Sequence, residues 1–333
     1  MKPPAPITSP SRSDDRANAA VAPEAIAHHV PAECFYVRFG SLQNFLWVQD
    51  LNERWQGDLQ NMVLGGAIRS GAVDRLTAQL AIRQNALTRI MGPQVVADVA
   101  LIGLDPYLRE GAGVGMVFHA KNSFLLRQTF TSQRRAAKAK LRDAFERTVE
   151  VAGRDVSLIA TPRGEIRSYF VSDGHFHLVS TSRRLVQRFL EAGQGNRSLA
   201  NSPGFRHARR RVPAQRNERV FAYSSPEFFK NLASPAYWIE RRRRIESTRQ
   251  ILLLELVRYQ AIVEGISADT AKDWIRAGLL PSRFLVRHDG SELVRGEDGR
   301  YYDSLRGSAG FMLPIADVEL TDCTTPESEL YQL

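Results

Sequence analysis

The chain has 333 residues, 43% of them hydrophobic and 24% charged, with a formal net charge of +9 at pH 7. That length exceeds the usual size of one core and predicts a soluble globular protein of two domains or two pseudo-repeats. A bilayer-crossing helix is excluded as the sequence is written: the longest apolar runs, such as residues 251–254, are cut by Glu255 and Arg258, far short of the roughly 20 residues needed.

Residues 1–22 are rich in Pro, Ser, Ala and charge and lack the apolar stretch of a signal peptide. They predict a disordered leader, taken as 1–28, and a cytoplasmic protein on the literal reading. A short buried strand follows from Phe35 to Phe39. Ser41 is placed to cap a helix through about Trp55, whose Leu42, Phe45, Leu46 and Gln49 share one face. Further helical pattern runs over 58–90, and strands are predicted over 95–103 and 114–120. Pro106 and the glycines at 111 and 113 break the chain between them. Residues 123–149 then read as one long basic helix with an Ala-rich centre.

Three alternating runs follow, 156–160, 166–172 and 175–180, punctuated by Pro162-Arg163-Gly164 and by Asp173-Gly174. Asp-Gly between alternating strands is a strong hairpin signal. As a two-residue loop it opposes Ser172 with His175, Phe170 with His177 and Tyr169 with Leu178. Tyr169, Val171, Phe176 and Leu178 then share the core face, and Ser168, Phe170, Ser172, His175, His177 and Val179 share a polar, exposed one. Thr181 or Ser182 caps the next helix, which Gly193 ends.

The Gly, Asn and Ser of residues 194–202 mark the boundary between halves. The fold expected is α+β, with a first half at 29–205 and a second at 206–333, each of antiparallel strands packed with long helices. The second half opens on a strand and a capping box at Ser224 to Glu227. A long helix over 235–264 carries Ile245, Leu252, Leu256, Tyr259 and Val263 as one apolar stripe. A helix over 268–277, hairpins over 284–302 and a strand near Val318 complete it. The last residues show no obvious stop, so the chain reads as a piece of something longer.

One passage occurs twice. Phe35-Tyr36-Val37 leads into Leu42 and Leu46, and Phe221-Ala222-Tyr223 leads into Phe228 and Leu232, at matching spacing. Both copies read as a strand running into a helix, which predicts an internal duplication.

No strong catalytic signature accompanies these elements. His175 and His177, alternate residues of one strand, could begin a zinc site and so a metal-dependent hydrolase, if a third ligand from His119, His207 or His288 joined them. An exposed strand face explains the same pair. The glycines at 111, 113 and 115 precede a strand instead of opening a helix, which is the wrong context for a phosphate loop. No cofactor is expected. Cys34 and Cys323 could form at most one bridge, and two free thiols are the working expectation.

The positive charge is clustered. Arg134, Arg135 and Lys138, then Arg209, Arg210 and Arg211, then Arg241, Arg242, Arg243 and Arg244 are candidate contacts to a nucleic acid or another anionic surface. Four consecutive arginines on a helix are spread around its axis, however, and no nucleic-acid motif accompanies them. A solvated face is the plainer reading.

The run Val171-Ser172-Asp173-Gly174-His175-Phe176-His177-Leu178-Val179-Ser180-Thr181-Ser182, followed by Ser198-Leu199-Ala200-Asn201-Ser202-Pro203-Gly204-Phe205, resembles a family of uncharacterised bacterial proteins of duplicated α+β architecture. The tail residues Asp303 to Gly307 and Phe311 to Ile315 are similar to hypothetical proteins of large bacterial genomes. The resemblance covers about half the chain and implies no assigned activity. It also implies relatives that are exported or membrane-tethered, which makes the cell envelope the alternative compartment. Together these readings predict a non-enzymatic structural or interaction module with a protein partner. Hydrolysis at His175 and His177 is one alternative and polyanion binding at the arginines the other.

Overall fold

The fold was obtained as a computed structural model, which describes residues 22–55, 72–81, 92, 94–108, 111–214, 220–268 and 270–329. The α+β class holds. Eight strands form one antiparallel sheet: β1 (Phe35–Arg38), β2 (Val96–Gly103), β3 (Val114–Ala120), β4 (Phe145–Val151), β5 (Arg154–Ala160), β6 (Arg167–Asp173), β7 (Phe176–Ser180) and β8 (Phe221–Ser224). Their spatial order is β4-β5-β6-β7-β3-β2-β1-β8. Two further strands, β9 (Leu293–Arg295) and β10 (Tyr301–Asp303), pair as a separate hairpin.

The helices are α1 (Leu42–Trp55), α2 (Ala72–Leu80), α3 (Ser123–Lys138), α4 (Arg183–Gly193), α5 (Pro203–Arg211), α6 (Pro226–Leu232), α7 (Pro235–Val263), α8 (Ala271–Arg276) and α9 (Thr325–Glu329). Most of the helical pattern read over 58–90 lies outside the described residues. The sheet is covered on both faces. On one, Tyr36, Ile102, Val117, Leu158 and Leu178 pack with Leu185 and Phe189 of α4 and Phe205 of α5. On the other, Val99, Phe118 and Val179 pack with Leu42 and Leu46 of α1 and Leu126 and Phe130 of α3. The central strands β2 and β3 therefore read as nearly unbroken apolar runs, as strands buried on both sides must.

Several expectations are corrected. The predicted helix over 123–149 ends at Lys138, and its last third is the edge strand β4. Ala152 and Gly153 both have positive φ, 50° and 72°, the requirement of a type I′ turn, and they fold β4 back onto β5 with Val151 opposite Arg154. Gly174 and His175, not Asp173 and Gly174, form the β6–β7 loop, so Asp173 pairs with Phe176 and Ser172 with His177. The two-residue change in register keeps every side chain on its predicted face. Most of the supposedly exposed face is covered, because α3 lies over it; His175, on the turn, is the member left exposed. Ser225, not Ser224, caps α6, accepting from the Phe228 amide at 2.9 Å. No strand forms at Val318, which follows a single 3-10 turn, Ile315–Asp317.

The two repeated strands lie side by side, β8 pairing antiparallel with β1. The halves therefore share one sheet. Likeness between them stops at strand and helix: β8 is the only strand that the second half adds to the large sheet among the described residues, and duplication of the whole is not established.

From α7 onward the chain builds its own core, in which Ile251, Leu254 and Ala261 of α7 pack on Trp274 of α8, Phe284, Tyr301 and Met312. A strap leading out of this core returns to the sheet. Arg167 donates to the Met312 and Phe311 carbonyls at 2.9 and 3.2 Å, and Asp317 accepts from Ser182 and from the Arg183 and Arg184 amides at the start of α4. A carboxylate there completes the orphan amides and meets the positive end of the helix.

Candidate functional site

Helix α7 is well specified locally. Ser234 caps it by accepting from the Tyr237 amide, Pro235 occupies the first turn, and the chain leaves through Glu264 and the positive-φ Gly265. It runs 29 residues. Its inner face is apolar toward the C-terminal end and ionic toward the N-terminal end. Ile251, Leu254, Val257 and Ala261 enter the C-terminal core. One to three turns earlier, Glu240, Arg244 and Ser247 are fully buried in a polar network.

Arg306 is the hub of that network. Its guanidinium donates to both Glu240 carboxylate oxygens at 2.9 Å each, reaches Asp289 at 2.6 Å and Asp303 at 3.2 Å, and is 1% exposed. Arg287 joins Asp303 at 2.7 Å, and the Ser247 hydroxyl donates to the same carboxylate. These hydrogen bonds hold Asp303 below the ordinary carboxylate range against the upward push of burial. Against the upward push of burial, the Ser291 hydrogen bond and then the Arg306 charge bring Asp289 down to about 2.

The outer face of α7 is also apolar. Leu252, Leu256, Tyr259 and Val263 are 56%, 65%, 59% and 82% exposed, and Leu253 and Ile262 flank them in the open. These are four of the five residues of the stripe read from the sequence, and they point to solvent; the fifth, Ile245, is half-buried. Its 4-3-4 spacing keeps the residues on one side of the helix, where neighbours three and four apart touch. Monomeric proteins rarely leave so many large apolar side chains contiguous in water.

The seam runs at its N-terminal end into a pocket of about 560 Å³ between α7, residues 286–289 and the α9 segment. Ile245 and the exposed Val286 supply apolar wall, Arg242, Arg243, Arg249 and Arg287 supply positive charge, and Glu246, Asp289 and Glu327 stand among them. Arg287 is held in place by Gln250, Ser291 and Asp303, and Arg243 by Glu327 at 2.8 Å. Arg249 is 74% exposed and only 3.9 Å from Glu246, and Arg242 is exposed.

The arginine clusters do not make a common surface. Arg241 lies over the Tyr107 ring at 4.2 Å, Arg243 is paired, and Arg244 is buried against Glu240 and the Leu313 carbonyl. Arg209 is buried on Glu24, while Arg210 reaches His207 and Arg211 is exposed. Arg134 is buried and donates to Ser168 and Ser157 under α3, Lys138 faces Glu146 at 3.7 Å, and Arg135 is exposed. Thus Arg134, Arg209 and Arg244 serve the interior. Glu24 lies 185 positions from Arg209, Ser168 34 from Arg134 and Leu313 69 from Arg244, so a charge run alone could not assign them, although Glu240 stands only one turn from Arg244.

His175 and His177 are brought to one hydroxyl. The buried His177 ring has Ser172 at 2.7 Å on Nδ1 and Ser123 at 3.1 Å on Nε2. His175, exposed on the turn, stands 3.5 Å from the same Ser123 oxygen. Burial, then the Arg127 and His175 charges, lower the His177 pKa to about 4, so the ring is a neutral bridge between two hydroxyls at neutral pH. Both of its nitrogens are already engaged. Among the described residues no group of three or more His, Cys, Asp or Glu is placed to hold a metal ion. Cys34 and Cys323 are both buried and neither is in a disulfide, and burial pushes the Cys34 thiol well up, making it a core atom and a poor nucleophile. No described helix is long and apolar enough to cross a membrane.

Comparison with protein families, curated proteins and solved structures returns no match.

Proposed function

We propose that this protein is a non-enzymatic interaction module that joins a larger assembly through the outer seam of α7. The observation that carries the reading is the set Leu252, Leu256, Tyr259 and Val263, apolar, in register and facing solvent on a helix whose opposite face is already buried. Withdrawing each Leu or Val side chain from water contributes about 1.5–3 kcal/mol, so four or more in a row are a strong driving force for association. The support beneath is what makes the seam usable: the Arg306 network and the Trp274 core anchor the inner face of α7.

The test compares the full chain with a Leu252→Gln/Leu256→Gln/Val263→Gln variant by sedimentation velocity, by thermal melting and by association with proteins of native extract. The reading expects a variant that melts at or above the parent temperature and has lost its associations. A drop in melting temperature of several degrees would mean that the seam is covered by the chain itself, and the reading would fail.

A further inference from the structure

We infer that the partner of the α7 seam is a second copy of this chain, docked as an antiparallel helix pair in which the arginine pocket receives the C-terminal end of the other α7. The inference rests on the reading of the seam as an interaction surface and gives that surface its occupant. Leu252, Leu256, Tyr259 and Val263 recur at the alternating three and four residue steps of a coiled-coil seam, the a and d positions of a heptad. Extended toward the N-terminus, the same register passes through Arg249, Ile245 and Arg242. From Arg242 to Glu264 this line is about 33 Å long at 1.5 Å per residue.

Charge decides the direction. The N-terminal part of the line carries the exposed Arg242 and Arg249, with Glu246 beside Arg249, and its far end carries the exposed Glu264 and the negative end of the helix dipole. Parallel copies would set arginine against arginine. Antiparallel copies set each basic half against the other's acidic end, and a twofold axis makes the surface complementary to itself. In the register that does this, Leu252 meets Leu256 of the second copy, Arg249 meets Tyr259 and Ile245 meets Val263. A guanidinium over a tyrosine ring is a favourable pairing. Val263 then enters the apolar side of the pocket, formed by Ile245 and Val286, while Glu264 comes to its basic rim at Arg242. An anionic lipid surface fits less well, because Glu255 and Glu264 border the seam.

The test uses the full chain with two kinds of variant. Sedimentation equilibrium is expected to show a dimer, weakened about tenfold by Arg242→Glu or by Glu264→Arg alone and restored by the two together. Under mild oxidation, Ile245→Cys/Val263→Cys is expected to cross-link between chains and Val263→Cys alone is not. A monomer at all concentrations, a double charge reversal that fails to restore the dimer, or cross-linking through Val263→Cys alone would overturn the inference. Binding to vesicles of anionic phospholipid that requires Leu256 would overturn it in favour of a membrane. If the chain is monomeric yet the seam variant still loses a different protein from extract, the interaction reading stands and only the self-pairing falls.

Discussion

Tyr36 of β1 lies directly opposite Tyr223 of β8, and the neighbouring pair is Val37 with Ala222. Laid over one another, the two repeated passages match Tyr36 with Ala222 and Val37 with Tyr223. Exchanging the copies therefore turns each pair into the other, so the two strands meet about a local twofold axis. Leu42 of α1 and Phe228 of α6, which also correspond, are each 5% exposed, and Phe228 sets its ring edge-on to Phe35. The likeness seen in sequence is thus a symmetric seam at one end of the sheet.

Beneath that seam lies a buried ion pair. Glu24 accepts from the Tyr36 hydroxyl at 2.9 Å and from Arg209 at 2.5 Å, and the guanidinium sits 3.5 Å over the Phe221 ring. Arg209→Met keeps the volume and strands a buried carboxylate. We expect a loss of about 3–5 kcal/mol in urea unfolding, and recovery of part of it in Glu24→Gln/Arg209→Met, where no charge is left alone. A single variant as stable as the parent would show that the pair does not join the N-terminal segment to α5.

The pH dependence of stability should carry the signature of His177. Its pKa falls from 6.5 to about 4 on folding, because burial disfavours the charged ring. The neutral ring is bound in the native state, so the contribution is complete above pH 6.5 and is lost as pH falls through 4. Its size is about 3 kcal/mol if the whole shift is realised. His29 and His119, also lowered chiefly by burial, add to the same trend. Unfolding free energies of the parent and of His177→Asn, compared at pH 7 and pH 4, should converge toward the acid end.

How much of this could be read in advance varied with the kind of signal. The β5–β7 meander was legible because alternation and turn residues act over a few positions. Strand β4 was not, since the Ala-rich stretch before it masks the turn at Ala152 and Gly153 that makes Phe145 to Val151 a strand. The α7 stripe was legible as a period but not as a surface. Ile251 and Leu254 lie one residue away from Leu252 and Leu253, and a helix apolar on two sides does not say which side its own chain covers. The interior arginines were hidden for the opposite reason: Arg306 lies 66 positions from Glu240, and only the fold brings them together.

That Arg306 hub gives a prediction about geometry as much as charge. A lysine keeps the charge but offers one ammonium where a planar fork spans Glu240, Asp289 and Asp303. Arg306→Lys is expected to cost about 2 kcal/mol or more, and Arg306→Ala about 3–5, because Asp289 would lose its arginine and Glu240 and Asp303 would keep only Arg244 and Arg287. Hydrogen exchange should localise the loss to α7 and the β9–β10 hairpin, leaving β2 and β3 protected. Uniform deprotection would place the hub in the global core instead.

The strap that ties the C-terminal core to the sheet can be tested through two glycines that share a positive φ and differ in surroundings. Gly111 has φ +90°, and a Cβ there would lie 2.4 Å from the Met312 carbonyl oxygen; Gly153 has φ +72°, and a Cβ there meets nothing within 4 Å. Alanine at either site bears the left-handed cost of about 1–2 kcal/mol. At Gly153 that is the whole cost, since the turn projects into solvent. At Gly111 the methyl group must also push aside the backbone whose Met312 carbonyl accepts from Arg167 at 2.9 Å, so the strap loses a contact and a buried hydrogen bond together. Gly111→Ala should therefore be the more damaging by about 2 kcal/mol, with added exchange at residues 311–317, while Gly153→Ala leaves that segment protected. Equal costs would mean that the strap moves freely off the sheet.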